Sequence, residues 1–178
     1  MVDDDSSDGT YEVARELADK AVTKKREGQS IGLLYGMRMA RYPILITIDA
    51  DLENDPKLIP KLVEAMDGFD ILVASRNVLP RISERVASFV MNRILGIKDV
   101  FSNFRAYRRE LVPYLNLKLG ETFGGEFLVL AKKHGFRIGE IIYEPPPRRS
   151  KPRIGGTVKA NLRILWALLK ILILYITG

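Results

Sequence analysis

The chain contains no cysteine. This excludes a disulfide framework, a cysteine-ligated zinc and a thiol nucleophile. A single histidine, His134, excludes histidine-rich metal centres and any two-histidine constellation. Set in Lys132-Lys133-His134-Gly135, it reads as an exposed residue at a helix end. No stretch reads as a signal peptide, an internal repeat or a low-complexity tract. Long apolar runs are scarce too. The longest, Ile164 to Ile176, is interrupted by Lys170 and covers only about 20 Å as a helix, short of the roughly 30 Å hydrocarbon core of a bilayer.

What is present fits one globular domain of 178 residues, with 47% hydrophobic and 28% charged residues, enough to bury a core. The net charge of +6 and pI near 9.5 suit an anionic partner: a nucleotide, a phospholipid surface or nucleic acid. Neither an aromatic platform nor a recognition-helix pattern accompanies the charge, so nucleic acid is not expected. Basic residues concentrate after residue 76, while the first ten residues are acidic.

The most informative stretch is Ile46-Thr47-Ile48-Asp49-Ala50-Asp51-Leu52-Glu53-Asn54-Asp55-Pro56. The β-branched run Ile44 to Ile48 predicts a buried strand. Asp49 and Asp51 follow it, and Asp55-Pro56 opens a helical pattern. Strand ends are where open α/β sheets place ligands. Side chains at i and i+2 share one side of an extended chain, so both carboxylates can reach one divalent metal. The competing reading makes Asp49 and Asp51 solvated turn residues and Asp55 a helix cap.

Taken in order, the chain opens with Val2-Asp3-Asp4-Asp5-Ser6-Ser7-Asp8-Gly9-Thr10, which is loop and cap chemistry with hardly a strand before it. A helix is predicted from Tyr11 to Arg26, a glycine-containing loop over 28–32, and a second helix from Leu33 to Arg41. Asp70 to Arg76 reads as a second buried strand. One helix between the two strands suggests a βαβ crossover, which places Arg76 on the same sheet edge as the Asp pair. Residues 80–96 form a basic amphipathic helix, and residues 99–110 a short strand and a basic turn. Glu126 falls in the first turn of a helix over 124–133, where a carboxylate gains from the dipole. A last strand over 137–147 is stopped by prolines. Residues 148–156, with Arg148, Arg149, Lys151 and Arg153, read as a cationic loop able to fold over an anion, or as a solvated linker. The tail from Lys159 places Lys159, Arg163, Trp166 and Lys170 on one helical stripe among leucines and isoleucines. It suits a membrane interface, a partner, a truncated membrane-associated tail or the domain's own core.

Together these motifs resemble the inverting family-two glycosyltransferases, in the polyprenol-phosphate branch. The series runs through VDDDSSDGT, GMRMA, ITIDADLENDPKLIPKLVE, DILVASR, SNFRAYRRE and IGEIIYEPPPRR, and covers Val2 to about Gly156. The resemblance implies a GT-A fold: a mixed, mostly parallel α/β sheet flanked by helices. Residues 1–157 would be the catalytic domain and 158–178 a membrane-interface or truncated membrane-associated helix. It implies nucleotide-sugar contacts at Asp3, Asp4, Asp49, Ala50, Asp51 and Arg76. Mg²⁺ or Mn²⁺ would be held by Asp49, Asp51 and Glu53, and the acceptor phosphate by Arg149 and Arg153. Asp51, Arg105 and Arg153 would carry catalysis. Three departures stand out, one of them the tail, which is expected to stop short of a complete transmembrane span. The family's opening strand, with its Pro-Ala-Tyr-Asn-Glu-like loop, has no counterpart, so an N-terminally truncated domain is expected. The family's Ser-Gly-Phe-Arg is Ser102-Asn103-Phe104-Arg105, and Asn tolerates positive φ better than most residues.

The implied reaction moves mannose or glucose from GDP-mannose or UDP-glucose to a polyprenyl phosphate, with inversion, at the cytoplasmic face of a membrane. A phosphate acceptor is already anionic and needs cations and positioning, not a general base. A saccharide acceptor would need a carboxylate base, for which Glu126 is the candidate. A third expectation is an inactive relative serving as a binding or membrane partner subunit.

Overall fold

The computed structural model describes residues 1–49, 54–146 and 157–177. The larger sheet is built on β3 (Ile44–Thr47), β4 (Ile71–Arg76), β5 (Arg105–Arg108) and β6 (Ile138–Tyr143). Its order is β3-β5-β4-β6. β5 is antiparallel to both β3 and β4, while β4 and β6 are parallel. Three of the four strands therefore share one direction, and β3 and β4 end at the same edge, as the crossover argument expects.

β4 is the middle of the core. Ile71 to Ser75 are all buried, as a strand covered on both faces requires. The two-residue alternation divides its side chains between two cores. Ile71 and Val73 join Leu45 and Tyr107 under α2 (Gln29–Met39), α4 (Ile82–Leu95), α5 (Gly125–Lys133) and α6 (Thr157–Thr177). Leu72 and Ala74 join Ala106 and Phe104 against Leu62 and Met66, from and just after α3 (Ile59–Glu64).

The N-terminal segment departs from expectation. The helix predicted to reach Arg26 is α1 (Thr10–Leu17), and the chain turns extended at Ala18. Val22–Thr23 then forms β2, parallel to β1 (Val2–Asp3), in a separate two-stranded sheet. Val13, Leu17, Ala21 and Val22 do fall at helical spacing, but Val13 and Leu17 are exposed, so no core rewards a longer helix.

α6 differs from the expected short tail as well. Its 21 residues extend about 31 Å at the α-helical rise. By length and composition Val158–Thr177 is long and apolar enough to cross a membrane. One face is nevertheless tied to the domain. Ala160, Ile164, Ala167, Leu168 and Ile171 are buried, while Leu162, Trp166, Leu169, Ile173 and Ile176 are exposed. Ser83 of α4 donates through its N–H (3.1 Å) and hydroxyl (2.6 Å) to Asn161 Oδ1. The helix is thus both a core helix and the bearer of an apolar outer face.

Candidate active site

The ends of β3 and β4 open on a cleft of about 410 Å³. Gln29, Asp49, Asn54 and Arg76 supply polar groups. Val78, Pro80, Phe101, Phe123, Pro145, Pro146 and Ile164 supply apolar ones. Phe101 and Phe123 meet edge to face with centroids 6.0 Å apart. Arg81, Glu84, Ser102 and Asn103 line it as well, so the cleft combines charged and polar groups with an apolar surface that includes Ile164 of α6.

Asp49 follows β3, and its Oδ1 accepts from Gln29 Nε2 at 2.6 Å. Gln29 begins α2, whereas the sequence pattern places it in the glycine-containing loop. Arg76 closes β4. Its Nε donates to Asp99 Oδ2 at 2.6 Å and its Nη2 to Asp99 Oδ1 at 3.2 Å. Glu84 Oε1 lies 3.6 Å from Nη2. Burial alone would lower the Arg76 pKa, but the hydrogen bond and charge of Asp99, with Glu84 and Tyr143, raise it above its ordinary value. Arg76 is a fixed cation in the cleft wall. Neither Asp99 nor Glu84 could be found from local sequence, because their partner lies on another element.

Asp3 and Asp4 are not lining residues of this cleft. Asp3 is buried and accepts from Ser6 N–H at 2.9 Å and the Thr23 hydroxyl at 3.3 Å. Hydrogen bonds from the Ser6 side chain and N–H lead in holding its carboxyl below the ordinary value, against burial. Asp4 pairs with Lys24 and accepts from the N–H groups of Glu27 and Gly28, each at 3.1 Å. Burial pushes its carboxyl up, but these hydrogen bonds and the Lys24 charge outweigh it and bring it below the ordinary value. Asp4 and Asp49 thus grip adjacent residues, Gly28 and Gln29. The turn at Gly28, with φ of 94°, joins the two acidic segments.

Arg105 lies behind the cleft. It is fully buried; Nη1 donates to Gly124 O at 2.8 Å and Nη2 to Val100 O at 2.9 Å. In this conformation its guanidinium braces a turn and reaches no solvent, where the resemblance implies a catalytic group. Glu126, also buried, accepts from Lys118 N–H at 2.6 Å and Leu119 N–H at 3.2 Å. Burial raises its carboxyl pKa, against those hydrogen bonds and the Lys170 charge. It does not line the cleft. Ala50, Asp51, Glu53, Arg149 and Arg153 lie outside the described residues. Among the described residues no three Asp, Glu, His or Cys gather around a common point that could hold a metal ion.

Residues 1–128 match the family described as Glycosyl transferase family 2. The chain belongs to this family. It is 30% identical to dolichol-phosphate mannosyltransferase of Pyrococcus furiosus, over 96% of this chain and 54% of that protein. It is 26% identical to dolichyl-phosphate hexose transferase of Haloferax volcanii, over 83% of this chain and 68% of that one. The chain thus spans about half the length of the first relative. Glucosyl-3-phosphoglycerate synthase of Mycobacterium tuberculosis, solved with Mn²⁺, UDP-glucose and phosphoglyceric acid, superposes with a TM-score of 0.70 at 18% identity, over 96% of this chain and 66% of that one. Mannosyl-3-phosphoglycerate synthase of Rubrobacter xylanophilus gives 0.70 at 18% identity, over 96% and 60%. At such identities the superpositions establish the shared α/β fold.

Proposed function

We propose that the protein transfers a hexose, mannose or glucose, from a nucleoside-diphosphate sugar to a polyprenyl phosphate with inversion. The carrying observation is the cleft, which sets Asp49 and Arg76 beside apolar side chains that include Ile164 of α6. A diphosphate suits the first and an isoprenoid the second. The names of the Pyrococcus and Haloferax relatives, both polyprenyl-phosphate enzymes, support the same acceptor.

On this reading Arg76, held rigid by Asp99, balances charge on the departing diphosphate. Asp49 would hold Mg²⁺ or Mn²⁺ together with Asp51 and Glu53. An all-oxygen donor set fits either ion, and the Mycobacterium neighbour was solved with Mn²⁺ and UDP-glucose. Bound there, the cation would neutralise the leaving diphosphate. Asp4 shapes the turn that presents Gly28 and Gln29 to the nucleotide, Asp3 holds the adjoining segment through Ser6 and Thr23, and Ala50 would contact the nucleotide. Arg149 and Arg153 would orient the acceptor phosphate for in-line attack on the anomeric carbon. The phosphate oxygen brings its own negative charge, so no proton need be removed. Arg105 supports the wall from behind.

Residues 1–157 form the catalytic unit on this reading, and residues 158–178 place it on the cytoplasmic face of a membrane. The exposed apolar face of α6 and its flanking Lys159 and Arg163 suit a headgroup boundary. No specific observation favours a saccharide acceptor, because the carboxylate of Glu126 is engaged by backbone N–H groups.

The test is transfer from labelled GDP-mannose and UDP-glucose, with Mn²⁺ or Mg²⁺, to polyprenyl phosphate in vesicles. A labelled, mild-acid-labile lipid is expected with one donor. Transfer to phosphoglycerate or free saccharide but never to the lipid would replace the acceptor assignment.

A further inference from the structure

Lys170, on α6, donates to Leu119 O at 2.7 Å and to Glu121 O at 2.8 Å. The same loop is gripped elsewhere. Glu126 takes the N–H groups of Lys118 and Leu119, and Arg105 takes Gly124 O. So fixed, the loop projects Glu121 onto the start of α2. Glu121 Oε1 accepts from the Ser30 hydroxyl at 3.2 Å and from Phe123 N–H at 2.6 Å. A Cβ placed on Gly28 would lie 3.6 Å from Glu121 Oε2. Glu121 therefore sits against the Gly28–Ser30 turn, which also binds Asp4 through Gly28 and Asp49 through Gln29. Phe123 adopts φ of 51°, a left-handed conformation that non-glycine residues seldom take without a constraint, and its ring lines the cleft.

The geometry points to Glu121 and Lys170 as positioning residues: a Lys170–loop–Glu121–Ser30 relay that couples the outer helix α6 to the donor end of the cleft. This rests on the donor reading of that end. Neither side chain lines the cleft. Their effect is indirect. Lys170 sets the height of the loop, the loop sets Glu121, and Glu121 holds the turn that orients Gln29 against Asp49. Such a chain of packed and hydrogen-bonded groups transmits free energy only if both ends respond to its middle. Anything that shifts α6, a bilayer included, then changes donor affinity.

The test is calorimetric titration of the full chain with UDP and with GDP in the presence of Mn²⁺. Glu121→Gln and Lys170→Met are each expected to weaken binding about fivefold, within the range that mutations along coupling networks produce. The double variant is expected to bind no more weakly than the weaker single variant, because both break one relay. Lys170→Arg, which keeps a cationic donor, should recover most of the affinity. Ser30→Ala cuts the relay from the other end without touching α6, and should weaken binding alike, which mere unfolding of the helix on loss of Lys170 would not produce. Parent-like affinity in Glu121→Gln and Ser30→Ala, or losses that multiply in the double variant, would overturn the relay. If the parent itself binds neither nucleotide, the donor reading fails, and the relay with it.

Discussion

Asp99 holds Arg76 by both carboxylate oxygens, at 2.6 and 3.2 Å, across 23 residues of sequence. The aspartate is 2% exposed, so the pair is little screened by solvent. Asp99→Asn should cost about 2 kcal/mol of stability, as expected for a hydrogen bond to a charged group. Urea unfolding measures it. The same variant should weaken nucleoside-diphosphate binding, because a loosened Arg76 no longer points one way.

Arg76 itself separates charge from geometry. Arg76→Lys keeps the charge and loses the fork that Asp99 grips. Donor affinity is expected to fall about tenfold in Arg76→Lys and further in Arg76→Met, consistent with the strength of charge-assisted bidentate contacts. Equal affinity of both variants and the parent, by titration with UDP or GDP and Mn²⁺, would remove Arg76 from the donor site.

Metal dependence is the third expectation. Asp51→Ala should abolish the Mn²⁺-dependent part of nucleotide-sugar binding while leaving thermal unfolding unchanged. Asp49→Asn should reduce it less, because Gln29 can still bond the amide oxygen. Unchanged metal-dependent affinity in Asp51→Ala contradicts the assignment.

Two carboxylates give opposite pH signatures. The Asp4 carboxyl is held below its ordinary value of 3.8, so its contribution is present above that value and is lost as pH falls through the lower folded value. Asp4→Asn should therefore flatten the acid limb of the stability profile. Glu126 is raised by burial, so its contribution is full below its ordinary value of 4.5 and is lost as pH rises through the folded value. Glu126→Gln should flatten the profile on that upper side. Chemical unfolding at a series of pH values distinguishes the two.

On the acceptor side, Arg153→Ala should raise KM for polyprenyl phosphate while leaving nucleotide affinity without acceptor near the parent value. Sedimentation with anionic liposomes, weakened by deletion of residues 160–178 and only partly by salt, is expected of the α6 face. Equal KM in mutant and parent, or no sedimentation at any lipid charge, would count against the lipid-phosphate reading.

The central strands were legible because each is a compact apolar run, and the crossover rule alone places Asp49 and Arg76 on one sheet edge. β2 was not, since two residues paired to β1 leave almost no periodic signal, and Val22 also continues the helical spacing of α1. The partners of the site residues were illegible for a different reason. Gln29 with Asp49, and Asp99 with Arg76, are contacts between elements that no local pattern encodes. Arg105 shows the limit of a motif: its position was readable, but its burial under Gly124 and Val100 was not.

Gly124 has φ of 75°, and a Cβ there would sit 2.5 Å from Asn103 Oδ1 and 3.0 Å from Arg105 Nη2. One added methyl group would strain the backbone and press on two buried polar side chains together. In evolutionary terms this turn is closed to single-step change: a larger residue at 124 becomes tolerable only after 103 or 105 has shrunk, and each of those steps first gives up part of the brace. Phe101 and Phe123, which line the cleft and meet edge to face, carry no such clash with buried polar groups. Divergence in what the apolar surface of the cleft accepts would therefore accumulate at the two phenylalanines, while Gly124 stays fixed.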